Sequence, residues 1–114
     1  MELPQLLRQV RALRHWLHAH PRVANEEGET ARKVVEFLRT HAGIEPEREK
    51  VGGGAGLVYS VKGTAEASEP DFRADEAQSV SRTPFPTVLL RADMDALPLI
   101  EENPELAHVS TVHG

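Results

Sequence analysis

Cysteine is absent from all 114 residues. No disulfide framework, thiolate metal site or cysteine nucleophile can therefore be built within the chain. Aromatic side chains make up only 4%, which leaves little to stack on nucleic-acid bases. Long apolar runs are missing too: no stretch approaches the roughly 20 residues that a membrane span needs. The opening Met1-Glu2-Leu3-Pro4-Gln5 has neither the basic region nor the unbroken apolar run of a secretory signal. The expectation is a cytoplasmic protein that engages no membrane. Positive charge is scarce in the second half. Residues 58–114 hold 10 acids against 4 bases, whereas residues 1–57 hold 8 against 9. A negative half repels phosphate backbones, so no nucleic-acid partner is expected. What is present is ordinary for one soluble domain: 39% apolar and 27% charged residues.

The chain opens on an amphipathic helix. Leu3, Leu6, Leu7, Val10, Leu13 and Leu17 recur at spacings of three and four, with Arg8, Arg11 and Arg14 off the stripe. Pro21 ends it, because the residue before a proline resists helical angles. A second helix runs from about Glu27 to Ala42 on a stripe of Ala31, Val34, Val35 and Leu38. Glu27 and Glu29 suit its positive N-terminus, Arg39 and His41 suit its C-terminus, and Gly43 follows its last turn. The period then changes. Ile44–Val51 alternates weakly, as an edge strand does. Gly52–Gly56 is a turn, and Leu57–Val61 is a strand that Gly63 ends. Residues 64–86 lose all periodicity and are acidic, the composition of a long solvated loop. Thr87–Leu90 has the strongest strand pattern in the chain. The order α-α-β-β-loop-β predicts an α/β fold, two N-terminal helices on a small, incomplete sheet with an open edge.

Asp93 and Asp95 carry the strongest local signal for chemistry. They follow an apolar strand, where open α/β sheets place ligand sites. In an extended backbone Arg91, Asp93 and Asp95 share one face. Two carboxylates facing one way need a cation, an arginine or water between them. That supports either a metal or proton-transfer site, or a structural arrangement with Arg91 paired to one Asp and the other capping a turn. Local chemistry does not choose between them. His15 and His18 lie one helical turn apart, a spacing that can hold a metal. Histidines near a helix C-terminus are equally explained by the helix dipole, the favoured reading, with no third ligand in sight and His20 off the face. The Gly52–Gly56 run has neither Gly-x-Gly-x-x-Gly nor a following helix, so it reads as a flexible turn and not a phosphate cradle. Glu101-Glu102 reads as a solvated charge pair on a loop.

At these residues the chain resembles a known family. Leu13-Arg14-His15-Trp16-Leu17-His18-Ala19-His20-Pro21 is similar to its opening R-x-x-L-H-x-H-P, followed by Glu26-Glu27 and Thr30-Ala31. Leu89-Leu90-Arg91-Ala92-Asp93-Met94-Asp95-Ala96-Leu97-Pro98, with Glu101 beyond, resembles its most characteristic segment. The family is the metal-dependent amidohydrolases and carboxypeptidases that include hippurate hydrolase, N-acyl-amino-acid amidohydrolase and indole-acetyl-amino-acid hydrolase. The resemblance covers residues 5–63 and 86–114. Residues 64–85 do not match and read as a disordered insertion. Arg22-Val23-Ala24 departs from the usual Glu-Leu-Ser.

The resemblance implies the start of a zinc-peptidase-like catalytic domain, residues 1–114 being its N-terminal part, without the lid or dimerisation domain. It implies hydrolysis of an N-acyl amino acid or peptide-like amide with a divalent metal, zinc or manganese. A homodimer is implied for the full-length form. Members carry S-x-x-x-G-x-M-H-A-C-G-H-D-G-H shortly after the aspartates, and a downstream Glu as general base. Here Ser110-Thr111-Val112-His113-Gly114 fits only the lead-in, with His113 on the loop before the motif's first His. No metal ligand is assigned, no bound metal is expected for this chain alone, and the chain alone is expected to be inactive. In the wider family's His-x-Asp-x-x-Pro, Asp95 takes the position that orients a metal-binding His. Asp93 takes the His position and is a weaker candidate. Two alternatives stay open. One is a haloacid-dehalogenase-like phosphotransferase with Asp93 as nucleophile and Asp95 as acid/base, against which Leu97 replaces the usual Thr or Val. The other is a non-enzymatic interaction module that uses the open sheet edge.

Overall fold

The computed structural model describes residues 1–64 and 86–110. The chain divides into two units, residues 1–60 with 93–114, and residues 61–92. The predicted insertion lies outside the described residues, apart from Thr64. So do His113 and the rest of 111–114.

The first unit holds the regular structure. Helix α1 spans Leu3–Ala19, with Pro4 in its first turn, where a missing N–H costs nothing. It closes on His20, whose amide bonds the Trp16 and Leu17 carbonyls. The His20 ring seals the same end. Its Nδ1–H donates to the Trp16 carbonyl over 2.7 Å, and the ring stacks on the Trp16 indole at 4.2 Å. Helix α2 spans Gly28–Ala42 and ends on Gly43 at φ 65°, a left-handed cap that suits a residue without Cβ. The Gly43 amide donates to the Arg39 carbonyl. Arg39 then reaches forward to Glu45 with two parallel hydrogen bonds of 2.5 and 2.8 Å, which fixes the exit from the helix.

Strands β1 (Arg48–Val51) and β2 (Gly56–Val58) form an antiparallel hairpin. Arg48 pairs with Val58 and Val51 with Gly56, so three steps on β1 face two on β2. The extra residue makes a bulge, and Lys50 absorbs it at φ 56°. Gly52 and Gly53, at φ 74° and 75°, turn the chain. Gly56 is needed for a different reason: a Cβ there would sit 2.6 Å from the Val51 carbonyl oxygen.

The core is small. Among the described residues Thr30, Ala31 and Val35 of α2 are buried, and α1 buries none of its residues fully. Burying a valine is worth about 1.5–3 kcal/mol, so this core alone stabilises little. A cleft of about 510 Å³ lies between α2 and the hairpin, with Ala31, Val35 and Leu57 among its walls. Trp16 and Leu17 of α1 are half-buried, and Lys33 of α2 lies over the Trp16 ring at 5.1 Å. The other end of the α1 stripe faces solvent, with Leu3 66%, Leu7 59% and Val10 44% exposed.

In the second unit, residues 61–64 and 86–92 form no helix or strand. This corrects the strand expected at Thr87–Leu90. Val88, Leu89 and Leu90 are 79%, 90% and 89% exposed. A strand is defined by its ladder, and among the described residues none pairs with these, although they have the side chains for one. The strand expected at Leu57–Val61 is shorter for the same reason. Its partner β1 is in register only as far as Val58. The two helices and the hairpin agree with the α/β expectation.

Gly56→Ala should destabilise the unit by about 1–3 kcal/mol, the usual range for a forced close contact. Urea denaturation followed by circular dichroism measures it. A midpoint equal to that of the parent would mean the hairpin opens without cost.

Candidate functional site

The segment that carries the aspartates is held in place by backbone. The Ala96 amide donates to the Arg22 carbonyl over 2.7 Å, tying residues 93–96 to the turn between α1 and α2. That turn is itself fastened. The Glu26 amide bonds the Val23 carbonyl, Asn25 takes φ 70°, and the Arg22 guanidinium pairs with Glu29 in the first turn of α2. Arg22 is one of the residues that depart from the family pattern, and here it supplies both a carbonyl and a charge to this junction.

Asp93 and Asp95 come together, as the period-two reading expects. A hydrogen bond and the charge of Asp93 push the Asp95 carboxyl above its ordinary 3.8, and Glu27 adds to the rise from α2. Asp93 Oδ1 also accepts the Met94 amide at 3.1 Å, a local turn contact. The arrangement is a pair of carboxyl groups that shares a proton more readily than a lone aspartate does. Both residues are exposed, and neither lines the cleft between α2 and the hairpin. Among the described residues no three His, Asp or Glu side chains converge as a metal would require. The residues described here therefore do not make up a metal centre by themselves.

The second cluster differs from its sequence reading. Glu101 is not a solvated charge: its side chain is 17% exposed. One carboxylate oxygen lies 2.9 Å from His18 Nε2, and the other accepts the Ser110 amide at 2.8 Å. These two donors hold the Glu101 carboxyl below its ordinary range. His15 stacks on His108 at 4.0 Å with the rings 8° from parallel, and His18 meets His108 edge-on at 5.2 Å. His20 turns away to the Trp16 carbonyl, as expected of a residue off the face. The sequence reading missed His108 and the Ser110 amide. His108 lies 90 positions and more beyond His15 and His18, and no local spacing links them.

Over 102 residues, 90% of its length, this chain is 36% identical to thermostable carboxypeptidase 1 of Saccharolobus solfataricus, covering 21% of that protein. It is 34% identical over 81% of its length to the N-acyl-L-amino acid amidohydrolase of Geobacillus stearothermophilus, covering 19% of it. Its relatives are the amidohydrolases and carboxypeptidases that its motifs resemble. Thermostable carboxypeptidase 2 of S. solfataricus matches at 34% over 90% of the chain. The chain spans about a fifth of the length of these curated relatives. Hydrolase names, and no phosphotransferase, stand among these relatives, so the haloacid-dehalogenase alternative gains no support. No family model matches the chain, and no solved structure does.

Asp93→Asn should lower the pKa of Asp95 toward or below 3.8, because an amide donates to the carboxylate and carries no charge. A folded-state pKa raised above the unfolded value costs stability as pH rises through it. The variant should therefore melt higher than the parent at pH 7, with the difference closing toward pH 3. Carbon-13 titration of the Asp95 carboxyl and melting curves at both pH values measure this. An unchanged Asp95 titration would remove the pair.

Proposed function

We propose that this chain contributes the N-terminal part of the catalytic domain of a metal-dependent amidohydrolase acting on N-acyl amino acids or related peptide-like amides. The observation that carries the reading is the match over nine-tenths of the chain to a carboxypeptidase and an N-acyl-L-amino acid amidohydrolase. It is supported by the family's Asp-x-Asp-x-x-Pro segment, Asp93–Pro98, being anchored at Arg22 beside its R-x-x-L-H-x-H-P segment. In this reading residues 64–85 are an insertion within the domain. None of the 114 residues is assigned to the lid or dimerisation domain, and a homodimer is proposed for the full-length form. The cytoplasm is the proposed compartment. Among the described residues no helix is long and apolar enough to cross a membrane.

Zinc or manganese would supply Lewis acidity and an activated water in such an enzyme. The described residues do not complete a site for it. What this chain offers is Asp95. Its carboxylate would accept the N–H of an imidazole on a neighbouring element and fix that ring's orientation. To accept, Asp95 must be ionised, and Asp93 and Glu27 oppose this. A donor or a positive group arriving at Asp95 relieves that opposition, so the pair favours an occupied site over an empty one.

The test is a chimera. This chain replaces the matching fifth of the G. stearothermophilus amidohydrolase, and amino-acid release from an N-acyl amino acid is measured with zinc or manganese added. The chimera should hydrolyse the amide. Asp95→Asn should reduce activity or metal affinity by about 10–100-fold, the usual loss for a group that orients a ligand. Asp93→Asn should cost less. A folded chimera that binds metal and does not turn over would overturn the functional reading. Equal and negligible losses at both aspartates would overturn the role of Asp95. Abolition at Asp93 with Asp95 tolerant would reverse the roles given to the two aspartates.

A further inference from the structure

We propose that Arg22 and Glu29 act as a positioning pair for the Asp93–Asp95 segment. Their ion pair holds the turn between α1 and α2 in the shape that presents the Arg22 carbonyl to the Ala96 amide. The consequence for catalysis rests on the amidohydrolase reading. The positioning itself is a property of this chain and can be measured on it.

The pair belongs to a line of contacts that starts in the core. Glu29 precedes Thr30 and Ala31, which are 6% and 7% exposed, so its backbone stands on the packed turn of α2. The first turn of a helix also suits a carboxylate, because its free amides carry partial positive charge. The Arg22 guanidinium donates to that carboxylate. The carbonyl of the same residue accepts the Ala96 amide over 2.7 Å, and Ala96 directly follows Asp95. Arg22 is thus held from α2 by its side chain and offers its backbone to the aspartate segment.

The pair closes a loop between positions seven apart. Inside that loop the Glu26 amide bonds the Val23 carbonyl, and Asn25 takes φ 70°. Left-handed backbone is uncommon for a residue with a Cβ, so a closure that limits the other conformations of the loop favours this one. Both side chains are about a third exposed, 34% and 33%, which screens their attraction less than at a fully exposed pair. From Pro21 to Ala31 the base is Arg22 and the acids are Glu26, Glu27 and Glu29. A glutamate at position 22, the usual residue of the family pattern, would set a fourth carboxylate against Glu29. The departure at position 22 therefore matches the acid at position 29.

Hydrogen exchange on the whole chain tests the pair, read at the Ala96 amide with the amide of Val35, buried in α2, as reference. In Arg22→Gln and in Glu29→Gln, Ala96 protection should fall about threefold while that of Val35 holds. The double variant should lose no more than either single one, since each removes the same interaction. About 1 M salt should lower Ala96 protection relative to Val35 in the parent and leave it level in the double variant. Unchanged Ala96 protection in both single variants would overturn the pair. So would additive losses in the double variant, or an equal fall at Val35, which marks general destabilisation. If Arg22→Gln does not fold, Glu29→Gln decides at the same amides, because it leaves Arg22 in place. The enzyme reading is tested separately. An inactive chimera would overturn that reading with the exchange result unaffected, and an active chimera with level Ala96 protection in both single variants would overturn the pair.

Discussion

One backbone hydrogen bond, from the Ala96 amide to the Arg22 carbonyl, fastens the aspartate segment of the candidate site to the helical turn. It joins a segment at residue 96 to a turn at residue 22. It sets where residues 93–96 lie relative to the turn between the helices. The bond is between backbone groups, so it depends on the path of the chain and not on particular side chains. Each end has local support. The Arg22–Glu29 pair and the left-handed Asn25 stiffen the turn, and Pro98 follows close behind Ala96.

The unit uses polar and ring contacts where larger domains use buried side chains. Three residues are buried among those described, and all belong to α2. Helix α1 is attached through Trp16 under Lys33, through the imidazoles at its C-terminal end, and through the turn at Pro21–Glu27. These attachments lie in its last turns, while Leu3, Leu6, Leu7 and Val10 face solvent. Such contacts depend on solvent conditions more than burial does, because they are exposed to protons and salt.

The helices and the hairpin turn were readable because each is specified locally. The leucine spacing of α1, the proline after it, the glycine after α2 and the glycine run of the turn act within a few residues of themselves. The proximity of Asp93 and Asp95 was readable for the same reason. The strand at Thr87–Leu90 was misread because propensity describes one backbone, whereas a ladder requires two. Glu101 was misread because its partners, His18 and Ser110, lie on either side of it at distances no window spans. The family segments were legible as a pattern of residue types. The carbonyl of Arg22 that anchors one of them was not, since every residue has a carbonyl.

The bare apolar triplet Val88-Leu89-Leu90 has a further consequence. Among the described residues it joins no ladder, and strand-forming side chains outside a ladder are a template for edge-to-edge association. Two neighbours act as gatekeepers. Pro86 has no N–H to offer a growing ladder, and Arg91 sets a charge directly against the run. Between them stand only Thr87 and the three apolar residues, shorter than the six or seven that form a stable cross-β core. Four residues between a proline and a charge are long enough for a short strand and shorter than a cross-β core requires.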